Sequence, residues 1–263
     1  MKKCLFCSNA ADSLEHIIPQ WLLYRIAPNK EGRFPMQVGR YIDGQGYLDT
    51  RNFISITFMA RIVCEQCNNG WMSQLESEVG RILHPLIAED FPILYRENLT
   101  QIHSQSHLLA LWLAKTALTT SLALPGKLRL PETFASQVSL RNAPVGSWVD
   151  LAKAQTTGIG IAFSKAIPTF NGRVFVGNQI HKSGASFQFC LQVNHLLLRI
   201  GMCQGAQVGY ALQKGQAPYR LFPKPSPQLP EHFEFTDVNQ FFHSIALFTW
   251  AGCEGEVPLA PGI

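Results

Sequence analysis

The chain has 263 residues, a formal net charge of +4, 46% hydrophobic residues and only 15% charged ones. So few charges exclude a disordered, self-repelling chain, and +4 is too small to announce a polyanionic partner unaided. The length suits one large domain or two small ones, and no apolar run reaches the roughly 18 residues that a membrane span needs.

Seven cysteines follow a Met1-Lys-Lys start that has no apolar leader behind it. In that setting they read as metal ligands and free thiols of a cytoplasmic protein. Residues 1–100 hold 10 Lys+Arg against 11 Asp+Glu, and the remainder 12 against 7. Any attraction for a polyanion is therefore expected from the C-terminal part.

In chain order, Glu15 to Ile26 reads as extended chain that turns at Pro19 into a short helix with Trp21, Leu22 and Leu23. Gly32 to Gly46 reads as loops or a hairpin. Phe53 to Val63 alternates as a strand running into Cys64. Asn69-Gly70 marks a turn, and a helix follows from Trp71 to Leu83 with Leu75, Val79 and Ile82 on one face. Pro85 makes His84 a helix-end residue.

Ala88 to Asn98 is an acidic, proline-bearing linker. Beyond it, Ser104 to Leu124 is a helix with Leu108, Leu111, Trp112, Lys115 and Leu118 near helical spacing. A shorter helix spans Glu132 to Arg141, with Pro131 at its start. Strands are expected at Trp148–Ala152, Gly158–Phe163, Arg173–Val176, Ser186–Val193 and Leu196–Met202, with a tight turn at Asn194-His195. A proline-rich stretch, Pro218 to Pro230, precedes a final apolar helix from Val238 to Trp250. The fold class is α+β: a small module over residues 1–95, then a domain over 96–263 with an antiparallel sheet and packed helices.

Two C-x-x-C pairs, Cys4/Cys7 and Cys64/Cys67, supply four thiolates that reach one zinc ion at about 2.3 Å each. Four unrelated free cysteines, or a redox pair without a surrounding βαβ pattern, are the weaker alternatives. Between the pairs lies Glu15-His16. An imidazole titrates near neutrality and can act as a general base, while a carboxylate offers hard oxygen to Mg²⁺ or Mn²⁺.

The order Cys4-x-x-Cys7, Glu15-His16-Ile17-x-Pro19, Cys64-x-x-Cys67-Asn68 over residues 4–76 resembles the zinc-containing branch of the HNH (ββα-metal) endonucleases. The run Cys67-Asn-Asn-Gly-Trp-Met72 with Glu76 is similar to one subgroup of that family. The resemblance implies that His16 is the base of phosphodiester hydrolysis and that Glu15 and Asn68 ligate a catalytic Mg²⁺ or Mn²⁺. It makes the four-cysteine zinc structural. The family's middle asparagine falls here at Met59–Ala60; Asn52, upstream, is the candidate substitute, and Arg61 a candidate contact to the scissile phosphate.

DNA is the substrate the family implies, ahead of RNA, in anti-phage defence or mobile-element biology. The C-terminal domain would then be a sensor, a DNA-binding part or a homo-oligomer interface. A zinc-stabilised nucleic-acid-binding or interaction module with a degenerate site is the other reading.

Several residues read as structural. Trp71 is a core residue before it is a base-stacking platform. Glu76 and Glu78 are solvated helix residues, with Glu76 a candidate brace for the zinc module. His103 and His107 are surface or capping histidines. Cys190, Cys203 and Cys253 are core thiols. Lys115 points either towards DNA or simply into solvent.

Overall fold

The computed structural model describes residues 2–26, 33–42, 45–54, 59–87, 102–123, 130, 132–164, 169–171, 174–175, 186–203, 207–210, 218–226 and 233–249. The Ala88–Asn98 linker and Cys253 lie outside them. The architecture is α+β, with mostly antiparallel sheet.

The N-terminal module starts with strand β1 (Ser13–His16), followed by helix α1 (Gln20–Ile26). Buried Leu22 and Leu23 anchor that helix. A hairpin of β2 (Arg33–Ile42) and β3 (Gln45–Ile54) comes next, paired from Arg33/Ile54 to Ile42/Gln45. Strand β4 (Met59–Val63) then returns to pair antiparallel with β1. The single strand expected from Phe53 to Val63 is thus two strands in two sheets. Alternation reports extended backbone and says nothing about which partner the strand takes.

Cys64 caps a one-turn helix, α2 (Glu65–Cys67). A π-type turn over Asn68–Met72 follows, kinked at Gly70 (φ −91°, ψ −113°), and leads into α3 (Ser73–Ile87). Leu75, Val79, Ile82, Leu83 and Leu86 form the buried stripe of α3. The helix runs through Pro85 rather than ending before it. Proline there removes one hydrogen bond in the last turn, where buried Leu86 and Ile87 still pack.

Helix α4 (Ser106–Ala123) is buried on every side from Leu109 to Ser121. Such a helix belongs in the middle of a protein, and α4 touches α3 and β4 on one side and the large sheet on the other. Helix α5 (Glu132–Ser139) packs beside it through Phe134 and Val138.

The large sheet is built on β5 (Ser147–Ala154), β6 (Ile159–Ser164), β9 (Ser186–Val193), β10 (Leu196–Cys203) and β12 (Tyr219–Phe222). Its order is β12-β5-β10-β9-β6-β2-β3, with β13 (Glu234–Phe235) also paired to β5. The hairpin β2/β3 from the N-terminal region therefore extends this sheet, through a parallel β2–β6 pairing. Asn194, at φ 52°, makes the tight β9–β10 turn. Strand β12 was hidden in the proline-rich stretch; it sits at the sheet edge, where flanking prolines do no harm.

Phe163, Phe187, Phe189 and Leu191 face α4, and one buried cluster continues from them to Leu75, Val79 and Cys4. The opposite face, with Ala162, Cys190 and Leu197, is covered by Phe235 and by α6 (Val238–His243). Asp237 caps α6 by accepting from the Asn239 and Gln240 N–H groups at 2.9 and 3.0 Å. A Cβ on Gly160 would lie 2.6 Å from Val238, so only glycine lets the first turn of α6 come this close.

The helix expected from Val238 to Trp250 ends at His243. Residues Ile245–Thr249 form β14, in a small sheet ordered β11-β14-β7-β8 with β7 (Thr169–Asn171), β8 (Val174–Phe175) and β11 (Gln207–Tyr210). A continuous apolar run carries no period to separate helix from strand.

Candidate metal centre and active site

Cys4 and Cys7 lie on an N-terminal loop stitched by the Cys4 N–H to the Asn9 carbonyl (2.7 Å) and by the Leu5 N–H to the Ile62 carbonyl of β4 (2.9 Å). That second bond brings them to Cys64 and Cys67, and all four sulfurs lie within 4.8 Å of one another. Cys7 Sγ is 3.5 Å from Cys64 Sγ and 3.7 Å from Cys67 Sγ. Tetrahedral ligation at about 2.3 Å per bond requires sulfurs about 3.8 Å apart. The donors therefore fit, and the cluster could hold a metal ion such as zinc.

Backbone N–H groups of Phe6 and Cys67 point at Cys4 and Cys64 Sγ, each at 3.4 Å. Burial would raise the Cys64 thiol, but the Cys67 N–H and the neighbouring sulfurs outweigh it and bring it to about 7. Cys67 is pushed up, by burial first.

The cluster pins the start of the α2–α3 helical stretch to the β1/β4 pair. There the Asn68 side-chain amide donates to Ser13 Oγ at 2.9 Å and to the Leu14 carbonyl at 3.3 Å. Asn68 is thereby held on the strand that carries Glu15 and His16. His16 lies opposite Met59 and is partly exposed, and its imidazole has no hydrogen-bond partner among the described residues. Arg61 is exposed on β4. Asn52 sits on β3, opposite Pro35, in the large sheet; its side chain lies outside the described residues.

Glu15 faces inward. Leu14 is 49% exposed and Glu15 only 5%, as alternation along a strand requires. Lys115 Nζ donates to Glu15 Oε1 at 2.9 Å and to Glu76 Oε1 at 2.5 Å, and Lys115 is completely buried. This corrects the reading of Lys115 as a solvated or DNA-facing cation. Burial alone would lower the Lys115 ammonium, but Glu76 and Glu15 outweigh that and hold it above its ordinary value. Burial raises the Glu15 carboxyl, and Lys115 offsets this only in part.

The sequence held one signal for this residue. Lys115 falls in the Leu108–Leu111–Trp112–Leu118 stripe, the face of α4 that had to be inside. Glu76, expected to be solvated or else to brace the zinc module, is instead paired with Lys115 of α4, while Glu78 is exposed.

No family model, curated protein or solved structure matches this chain. The remaining singled-out residues lie in the core, in surface pairs or in solvent. Trp71 packs edge-on against Phe6, centroids 5.1 Å apart. His84 Nδ1 pairs with Arg25 at 3.0 Å on the outer side of α3. His107 is exposed, but His103 is half-buried, stacked on Tyr219 and hydrogen-bonded to its hydroxyl. Cys190 is fully buried, and burial pushes its thiol to about 12; the Cys203 side chain lies outside the described residues.

The basic excess of the C-terminal region is partly internal. Lys115 and Arg199 are both 0% exposed, and Arg199 is locked to Asp150 at 2.9 Å. No helix among the described residues is long and apolar enough to cross a membrane.

Proposed function

We propose that the N-terminal module is an HNH-type nuclease that hydrolyses phosphodiester bonds in DNA, with His16 as general base. One observation carries this reading: the Asn68 amide bonds to Ser13 and Leu14, 55 and 54 residues earlier, which holds Asn68 on β1, the short strand that also carries Glu15 and His16. Hydrolysis needs a base to take a proton from water and positive charge for the phosphate. His16 supplies a half-exposed imidazole, and the Arg61 guanidinium faces solvent on the paired strand.

The resemblance also implies a Mg²⁺ or Mn²⁺ ion on Glu15 and Asn68, which would stabilise the charged transition state. Glu15 does not fit that role as it stands, because Lys115 occupies its Oε1. Charge for the phosphate then falls to Arg61. A zinc at the four thiols would hold the N-terminal loop, β4 and the α2–α3 stretch together and would be structural.

The same Lys115–Glu15 pair favours a second reading, a zinc-stabilised module that binds nucleic acid or protein through a degenerate site. Nicking of supercoiled plasmid in Mg²⁺ or Mn²⁺ separates the two. A general base contributes about 10²–10⁴-fold, so His16→Ala should cut the rate by at least about 100-fold. Nicking that survives this substitution removes His16 as the base, and plasmid binding without nicking favours the second reading.

A further inference from the structure

We propose that Lys115 is the resident cation of this site: its ammonium takes on Glu15 the place that a divalent metal would need, so Glu15 is a positioning residue and not a metal ligand. The proposal rests on the nuclease reading only in taking Glu15 as the carboxylate at stake.

Three observations support it. The ammonium is bound from two separate elements, Glu15 on β1 and Glu76 on α3, and is wholly inside. Helix α4 contains no acidic residue of its own, so Lys115 depends on these two carboxylates. Glu15 is turned inward towards α4, while its neighbours Leu14 and His16 keep contact with solvent.

A Mg²⁺ or Mn²⁺ ion binding Glu15 Oε1 at about 2.1 Å would sit within about 5 Å of a fixed ammonium. Like charges at that range in a buried site disfavour each other strongly. The ion pair does other work: it ties the strand carrying His16 to α3, the helix that follows the Asn68–Met72 turn, and so sets their spacing.

The test is Mn²⁺ titration of the full, zinc-loaded chain, followed by the loss of free-Mn²⁺ electron paramagnetic resonance signal. Losing a true ligand or its support typically changes metal affinity by about 10–100-fold. Glu15→Gln should therefore leave Mn²⁺ affinity within about twofold of wild type. Removing the cation and one acid together, Lys115→Met with Glu76→Gln, frees Glu15 and should tighten Mn²⁺ by about tenfold or more. Adding Glu15→Gln to that pair should abolish the gain.

A loss of about tenfold or more in Glu15→Gln alone would overturn the proposal, as would no gain in the folded Lys115→Met/Glu76→Gln protein. If that double variant fails to fold, the Glu15→Gln titration still decides. The nuclease reading stands or falls separately, on plasmid nicking by wild type and His16→Ala.

Discussion

Lys115→Met should destabilise this protein more than its length and shape suggest, because methionine fills the same channel and only the charge is lost. The two ion-pair distances, 2.9 and 2.5 Å, bound the separation of the Glu15 and Glu76 oxygens at about 5.4 Å. With an effective dielectric of about 20, two carboxylates that close repel by at least about 3 kcal/mol. Breaking a buried pair costs about 3–5 kcal/mol by mutational experience, and the two figures describe the same loss. For a chain of this size that lowers Tm by about 6–12 °C.

Urea unfolding read by tryptophan fluorescence is a direct assay, since Trp112 is buried on the same helix. Neutralising all three groups, Glu15→Gln with Lys115→Met and Glu76→Gln, should recover stability to within about 1–2 kcal/mol of wild type. The pH dependence has a definite sign. Without the ammonium, the Glu15 carboxyl, already raised by burial, rises further; the folded variant then takes up a proton before the unfolded chain does. Its deficit should shrink as pH falls from 8 to 5 and grow as pH rises. A deficit below about 1 kcal/mol at pH 8, or one that grows on acidification, would refute the triad as drawn.

Two further outcomes follow from other parts of the molecule. Cys64→Ser should drop bound zinc, measured by mass spectrometry of metal content, from about one per chain to well below it, and unfold the N-terminal module first; full zinc retention would remove the four-sulfur site. Gly201→Ala would place a Cβ 2.2 Å from the Trp148 ring, so the ring or the strand must shift, at a cost of about 1–3 kcal/mol or more; an unchanged unfolding midpoint would show that the ring does not lie over that strand.

Much of the fold could be read from the chain because its periods were clean. Strand β9 runs over Ser186–Val193 and β10 over Leu196–Cys203, and their turn needed the residue types found at Asn194-His195. Helix α4 was readable as an apolar, polar-poor stretch. Its all-round burial was not, since an amphipathic stripe was assumed. What failed shares one physical cause: pairing partners are non-local. Nothing between Phe53 and Val63 shows that its two ends belong to different sheets. The β2/β3 hairpin gives no local sign that β2 lies parallel to β6, 123 residues further on at Met36–Ile159.

The candidate site divides along the same line. The thiols were readable because a metal demands fixed donors at fixed spacing, and spacing is written in sequence. Asn68 followed from its place directly after Cys67. Lys115 was not readable as part of the site, because it meets Glu15 across 100 residues and only the packing of α4 against β1 and α3 brings them together. Yet a lysine centred in an apolar helix must find carboxylates or lose its charge, and the nearby N-terminal module offered two that had been given other work. A buried cation with no partner in its own element is thus a reason to re-examine every carboxylate already assigned to a metal. Here that reasoning moves Glu15 from the metal to the scaffold, and it leaves His16 and Asn68 as the pair on which the nuclease reading depends.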